Sequence, residues 1–119
     1  MPRSRILGAV AIAFVIALAG VAPSSLATGS KPKHHVTIKG DYLSGYKFKP
    51  GTITIRKGQT VHWSWNSDAE HNVTFTKPDK HSEMASKVTD FHIKFKHAGT
   101  FSYMCTVHGF TGKVVVKKQ

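Results

Sequence analysis

From Val36 onward the chain alternates apolar and polar residues with period two, and no helix-period run of useful length appears. That single pattern restricts the fold to β-strands packed face to face. Strands are expected over 36–38, 52–56, 60–66, 71–76, 88–95, 100–105 and 113–117. Tyr46 and Phe48 alternate within an otherwise irregular stretch. Val61, Trp63 and Trp65 share one face of their strand, and Phe91, Ile93 and Phe95 share one face of theirs. Pro50-Gly51, Lys57-Gly58, Asn66-Ser67-Asp68 and Ala98-Gly99 read as turns. The one stretch able to form a helical turn is 82–86. Seven to eight short strands with turns every eight to twelve residues predict an all-β, Greek-key sandwich of two sheets.

The N-terminus does not join this pattern. Arg3 and Arg5 precede an uncharged apolar run of 17 residues, Ile6 to Ala22, and Ser25 and Ala27 stand at the −3 and −1 positions of a cleavage site. Residues 1–27 therefore read as a secretory signal peptide, with an uncleaved membrane anchor as the alternative, since a spanning helix needs only about 20 apolar residues. Residues 28–35 are polar and read as a flexible tether, leaving 36–119 as the folded domain. Export places that domain in a periplasmic, cell-surface or extracellular setting. Without the two leader arginines the chain carries 15 Lys+Arg against 6 Asp+Glu, a formal +9. Such a surface attracts anionic partners, an acidic protein or a membrane surface among them, or else keeps strand edges soluble. No nucleic-acid motif is visible, and no nucleic-acid partner is expected.

Cys105 is the only cysteine of the 119 residues, so no internal disulfide can form. A lone thiol in an oxidising compartment must be buried or held. His108 follows it by three residues, on the loop after its strand. Two ligands are too few for a metal site, and His71, next to a turn at a sandwich end, is the best third. Two imidazoles and one thiolate suit copper: the thiolate is soft enough for Cu(I), and imidazole binds either oxidation state. Zinc in a structural role usually takes four closed protein ligands. A nucleophilic Cys105–His108 pair needs an orienting third group and an oxyanion site, and neither is visible, so no enzyme is expected. His62 and His92 alternate outward and read as solvated, and His81 and His97 fall in or beside loops. His34-His35 reads as polar linker.

Three blocks in order now carry a resemblance: Gly58-Gln59-Thr60-Val61-His62-Trp63; His71-Asn72-Val73-Thr74-Phe75; and Gly99 to His108 followed by Gly112-Lys113-Val114-Val115-Val116. They resemble the cupredoxins, in the branch of small blue-copper proteins that includes plastocyanin, amicyanin and pseudoazurin, over residues 36–119. The resemblance implies one type 1-like copper ion with His71, Cys105 and His108 as equatorial ligands. It implies that Asn72 ties the two ligand loops together through the Thr106 region. The family's weak axial methionine, three residues after the second histidine, has no counterpart here. That position is Thr111, and its loss of a thioether donor is expected to raise the reduction potential. The resemblance further implies single-electron transfer through the edge of His108, framed by Val107, Gly109 and Phe110. The expected partner is an acidic redox protein such as a c-type cytochrome or an oxidase domain, met by a monomer. The alternative reading is a copper-binding or sequestering protein without a dedicated redox partner.

Overall fold

The structure, a computed structural model, describes residues 33–119. The leader at 1–27 and residues 28–32 of the tether at 28–35 lie outside the described residues. Among the described residues there is no helix. Nine strands form instead: β1 (His35–Asp41), β2 (Gly45–Lys49), β3 (Thr52–Arg56), β4 (Thr60–His71), β5 (Thr74–Phe75), β6 (Lys80–His81), β7 (Ala85–Lys94), β8 (Gly99–Met104) and β9 (Thr111–Lys117). One sheet has the order β2-β1-β4-β7, the other β3-β9-β8-β5-β6. Parallel pairing of β1 with β4 and of β3 with β9 makes both sheets mixed. This is the two-sheet sandwich that the alternation predicts, with β5 and β6 as two-residue additions.

The core follows from the pleat. Val36, Val61, Trp63, Phe75, Tyr103 and Val114 turn inward from both sheets and are buried. Trp63 meets Phe75 and Tyr103 edge-on, at centroid distances of 5.6 and 5.5 Å, so aromatic rings from both sheets interlock at the centre. Burial of a side chain of this kind contributes about 1.5–3 kcal/mol. The first strand begins at His35, and the His34 carbonyl accepts the His62 N–H at 2.8 Å.

Two local expectations give way. The turn read at Asn66-Ser67-Asp68 does not form, and β4 continues to His71. Its pairing with β7 is irregular between Asn66 and His71, which absorbs the extra residues as a bulge does. The polar groups expected to turn find partners across the sheet edge. Asp68 accepts the Tyr46 O–H at 2.7 Å and the Tyr42 N–H at 3.1 Å. His71 thus ends a long strand rather than starting a new one. The helical turn at 82–86 is absent too. Buried Ser82 ties itself to Val73, its Oγ accepting the Val73 N–H and its own N–H donating to the Val73 carbonyl, both at 2.8 Å. The chain is therefore held extended into β7.

Strand direction gives the molecule two unlike poles. β4 and β8 end at one pole, and β9 starts there after the loop from Cys105 to Phe110. At the other pole, Lys57, Lys96, His97 and Lys118 line an open cleft of about 680 Å³.

Candidate metal centre

Three elements converge at the first pole. His71 closes β4, Cys105 directly follows β8, and His108 sits on the tight loop before β9. That loop is closed by two backbone bonds: the Cys105 N–H donates to the Phe110 carbonyl at 2.9 Å, and the Gly109 N–H donates to the Cys105 carbonyl at 2.8 Å. Gly109 has φ +77°, a conformation glycine adopts without strain. The loop therefore returns His108 over its own cysteine.

Cys105 Sγ lies 3.8 Å from His71 Nδ1 and 3.8 Å from His108 Nδ1. All three donor atoms lie within 4.8 Å of one another. Ligands about 2.0–2.3 Å from one ion, at roughly 120° to each other, stand about 3.7 Å apart, so the spacing fits a bound metal. The donor set of one soft thiolate and two imidazoles fits copper. Cys105 and His71 are fully buried, while His108 is exposed. Burial, and then the nearby His108, hold the His71 pKa below the ordinary imidazole value, which keeps the ring in its neutral, ligating form.

The surroundings fix these rings. Ser67 Oγ lies 2.9 Å from His71 Nε2, so with Nδ1 turned to the thiolate, the Nε2–H donates to Ser67. Asn72 bridges the two segments that carry the ligands. Its Nδ2–H donates to Thr106 Oγ1 and its Oδ1 accepts the Thr106 N–H, each at 2.8 Å, joining the His71 end of β4 to the residue after Cys105. Tyr46 packs edge-on against His71 with centroids 4.4 Å apart and lies 4.8 Å from the His108 ring. Partial burial and the Asp68 carboxylate that accepts its O–H push the Tyr46 pKa to about 12, so it stays a neutral phenol.

Thr111 and Phe110 occupy places other than the loop spacing implies. Thr111 is exposed and pairs with Met104, itself on the outer face. Phe110 stands opposite Cys105 and turns inward, its ring 5.5 Å from His71, 4.5 Å from Phe48 and 6.4 Å from His108. The structure thus brings His71, Cys105, His108 and Phe110 together and leaves Thr111 on the outer face. Alternation counted back from the buried Val114 and Gly112, rather than forward from His108, carries this signal. Gly112 confirms the count: a Cβ there would meet the Tyr103 ring at 2.5 Å. Ser67 and Tyr46 have no such signal, since both act across breaks in the strand pattern. Val107 is 47 % exposed beside His108, and Gly109 and half-buried Phe110 complete the rim.

A sandwich with this donor set at one pole defines a copper protein of the electron-transfer class. More particularly, the chain belongs to the cupredoxin-like family: a Cupredoxin-like domain matches residues 9–116. It is 32% identical over 100 residues to amicyanin from Paracoccus versutus, covering 76% of each chain. It is 28% identical over 118 residues to chloroplastic plastocyanin from Chlamydomonas reinhardtii, covering 87% of this chain and 81% of that one. Among solved structures, the reduced Cu(I) form of an amicyanin variant matches with TM-score 0.60 and 28% identity, over 74% of this chain and 85% of that chain. The cofactor is one copper ion.

Proposed function

We propose that His71 and His108, through Nδ1, and Cys105, through Sγ, hold the copper, and that the protein carries single electrons between redox partners outside the cytoplasm. The observation that carries this reading is the asymmetry of the trio: two donors sealed in the core and one on the surface. Copper, when bound, supplies a one-electron change between its two oxidation states. The chain's residues supply the rest. Ser67 and Asn72 hold the ligand loops in one geometry, so little has to move when the charge changes. Tyr46, Phe48 and Phe110 exclude water from the buried side. Phe110, whose ring lies 5.5 Å from that of His71, carries no donor atom and would offer a bound copper no thioether, and this supports a raised reduction potential. The His108 edge, rimmed by Val107, Gly109 and Phe110, is the electron port. The N-terminal leader supports export to a periplasmic, cell-surface or extracellular setting. Net positive charge supports an acidic redox partner, such as a c-type cytochrome or an oxidase domain.

The test is the optical spectrum of the copper-loaded chain through repeated oxidation and reduction. An intense thiolate-to-copper band that vanishes and returns, and is absent from Cys105→Ser, is expected. No such band overturns the ligand set. A band whose metal is lost on cycling instead favours copper sequestration.

A further inference from the structure

A second group of donors lies away from the copper centre, on the outer face of the β2-β1-β4-β7 sheet. His62 on β4 and His92 on β7 are directly paired across the ladder, with ring centroids 5.2 Å apart. Between the pairs Trp63–Phe91 and Trp65–Val88 the register shifts, so two residues of β7 face one of β4. A bulge of this kind re-aims a side chain. Here it accompanies Asp90, whose two carboxylate oxygens reach both rings: Oδ1 is 2.8 Å from His62 Nδ1 and Oδ2 is 3.0 Å from His92 Nδ1. All three donor atoms lie within 4.8 Å of one another and are open to solvent. His35 extends the histidine row on the other side of His62, with its Nε2 2.6 Å from Ser64 Oγ.

We propose that His62, Asp90 and His92 form a second, surface metal site that takes a late first-row divalent ion of the Zn(II) or Cu(II) type. The chemistry follows from the donors. Two imidazoles and a carboxylate are intermediate ligands that suit zinc and copper, and exclude a preference for the hard cations magnesium and calcium. Asp90 already pins both rings with Nδ1 inward, so the rings need little reordering: on binding, each neutral ring would carry its proton on Nε2 and offer the Nδ1 lone pair to the ion. Three protein donors leave positions for water or an exchanging ligand, so the ion held there is exchangeable, unlike one sealed among His71, Cys105 and the core. The two sites share one strand, His62 near its start and His71 at its end; the ladder pairs them with His92 and Ala85, seven residues apart on β7, so the two positions are separated by at most about 23 Å at ~3.3 Å per residue.

The test uses the full chain with copper already bound and reduced, so that the first centre is filled and diamagnetic, and Zn(II) alone as probe. Equilibrium dialysis is expected to give a single bound equivalent of Zn(II), with the imidazole proton resonances of His62 and His92 shifting together. Both His92→Ala and Asp90→Asn are expected to weaken binding about tenfold or more. After reoxidation the copper absorption band stays unchanged in both variants, which reports an intact fold and first centre. No bound Zn(II), wild-type affinity in both variants, or shifts confined to other histidines would each overturn the proposal.

Discussion

Phe110 and Thr111 are neighbours, yet the pleat sends them to opposite faces: one ring lies against His71, and the other hydroxyl is in solvent opposite Met104. The consequence can be measured at each position. Phe110→Met brings a thioether toward the copper, stabilises the oxidised state, and is expected to lower the reduction potential and shift the visible spectrum. Thr111→Met is expected to leave both nearly unchanged. Equal effects would mean that the loop is folded otherwise. His71, Cys105 and His108 were legible in the sequence because soft and borderline donors at strand ends have few other uses. The residue facing them from above was not, because loop spacing and strand alternation disagree by one position, and only a residue paired across the ladder decides between them.

At the scale of elements, the centre is a join between two segments 34 residues apart, and the Asn72–Thr106 pair of hydrogen bonds makes that join. Asn72 is 7 % exposed and Thr106 is exposed, so loss of the Asn72 side chain removes two part-buried hydrogen bonds that join the segments. Asn72→Ala is expected to cost about 1–3 kcal/mol of stability in thermal or denaturant unfolding of the metal-free chain. Copper loading should recover part of that loss, since the ion then joins the same segments. A neutral result would make the join dispensable. The sandwich itself was legible from period two alone. The course of β4 was not: Asn-Ser-Asp has strong turn chemistry, and what overrides it is a partner distant in sequence, the Tyr46–Asp68 hydrogen bond. For the same reason the helical propensity at 82–86 lost to the Ser82–Val73 bonds.

At the scale of the whole molecule, the lysine cleft and the metal centre sit at opposite ends. Lys57, Lys96 and Lys118 surround the cleft at one pole, while His108 emerges at the other among Val107, Gly109 and Phe110, with Asp41, Asp68 and Glu70 on the elements that close that end. On the proposed reading, overall positive charge would draw an acidic redox partner from a distance and the rim of His108 would make an apolar final contact. Val107→Glu, which puts a charge in that contact, is expected to cost about 1–3 kcal/mol in partner binding, roughly fivefold or more in affinity. Neutralising Lys57, Lys96 and Lys118 to Gln should lower the encounter rate less than this and reduce its salt dependence. The reverse ranking in stopped-flow kinetics would place the docking surface at the lysine pole.

The lysine cleft has a consequence of its own. Lys39 and Lys47 stand near the other end, but Asp41, Asp68 and Glu70 offset them there, so the charge is unevenly spread and the molecule is an electric dipole. Against a negatively charged surface it stands upright, cleft down, with the His108 edge held toward bulk solvent. An arrangement that keeps a strand end soluble also sets which way the His108 edge faces.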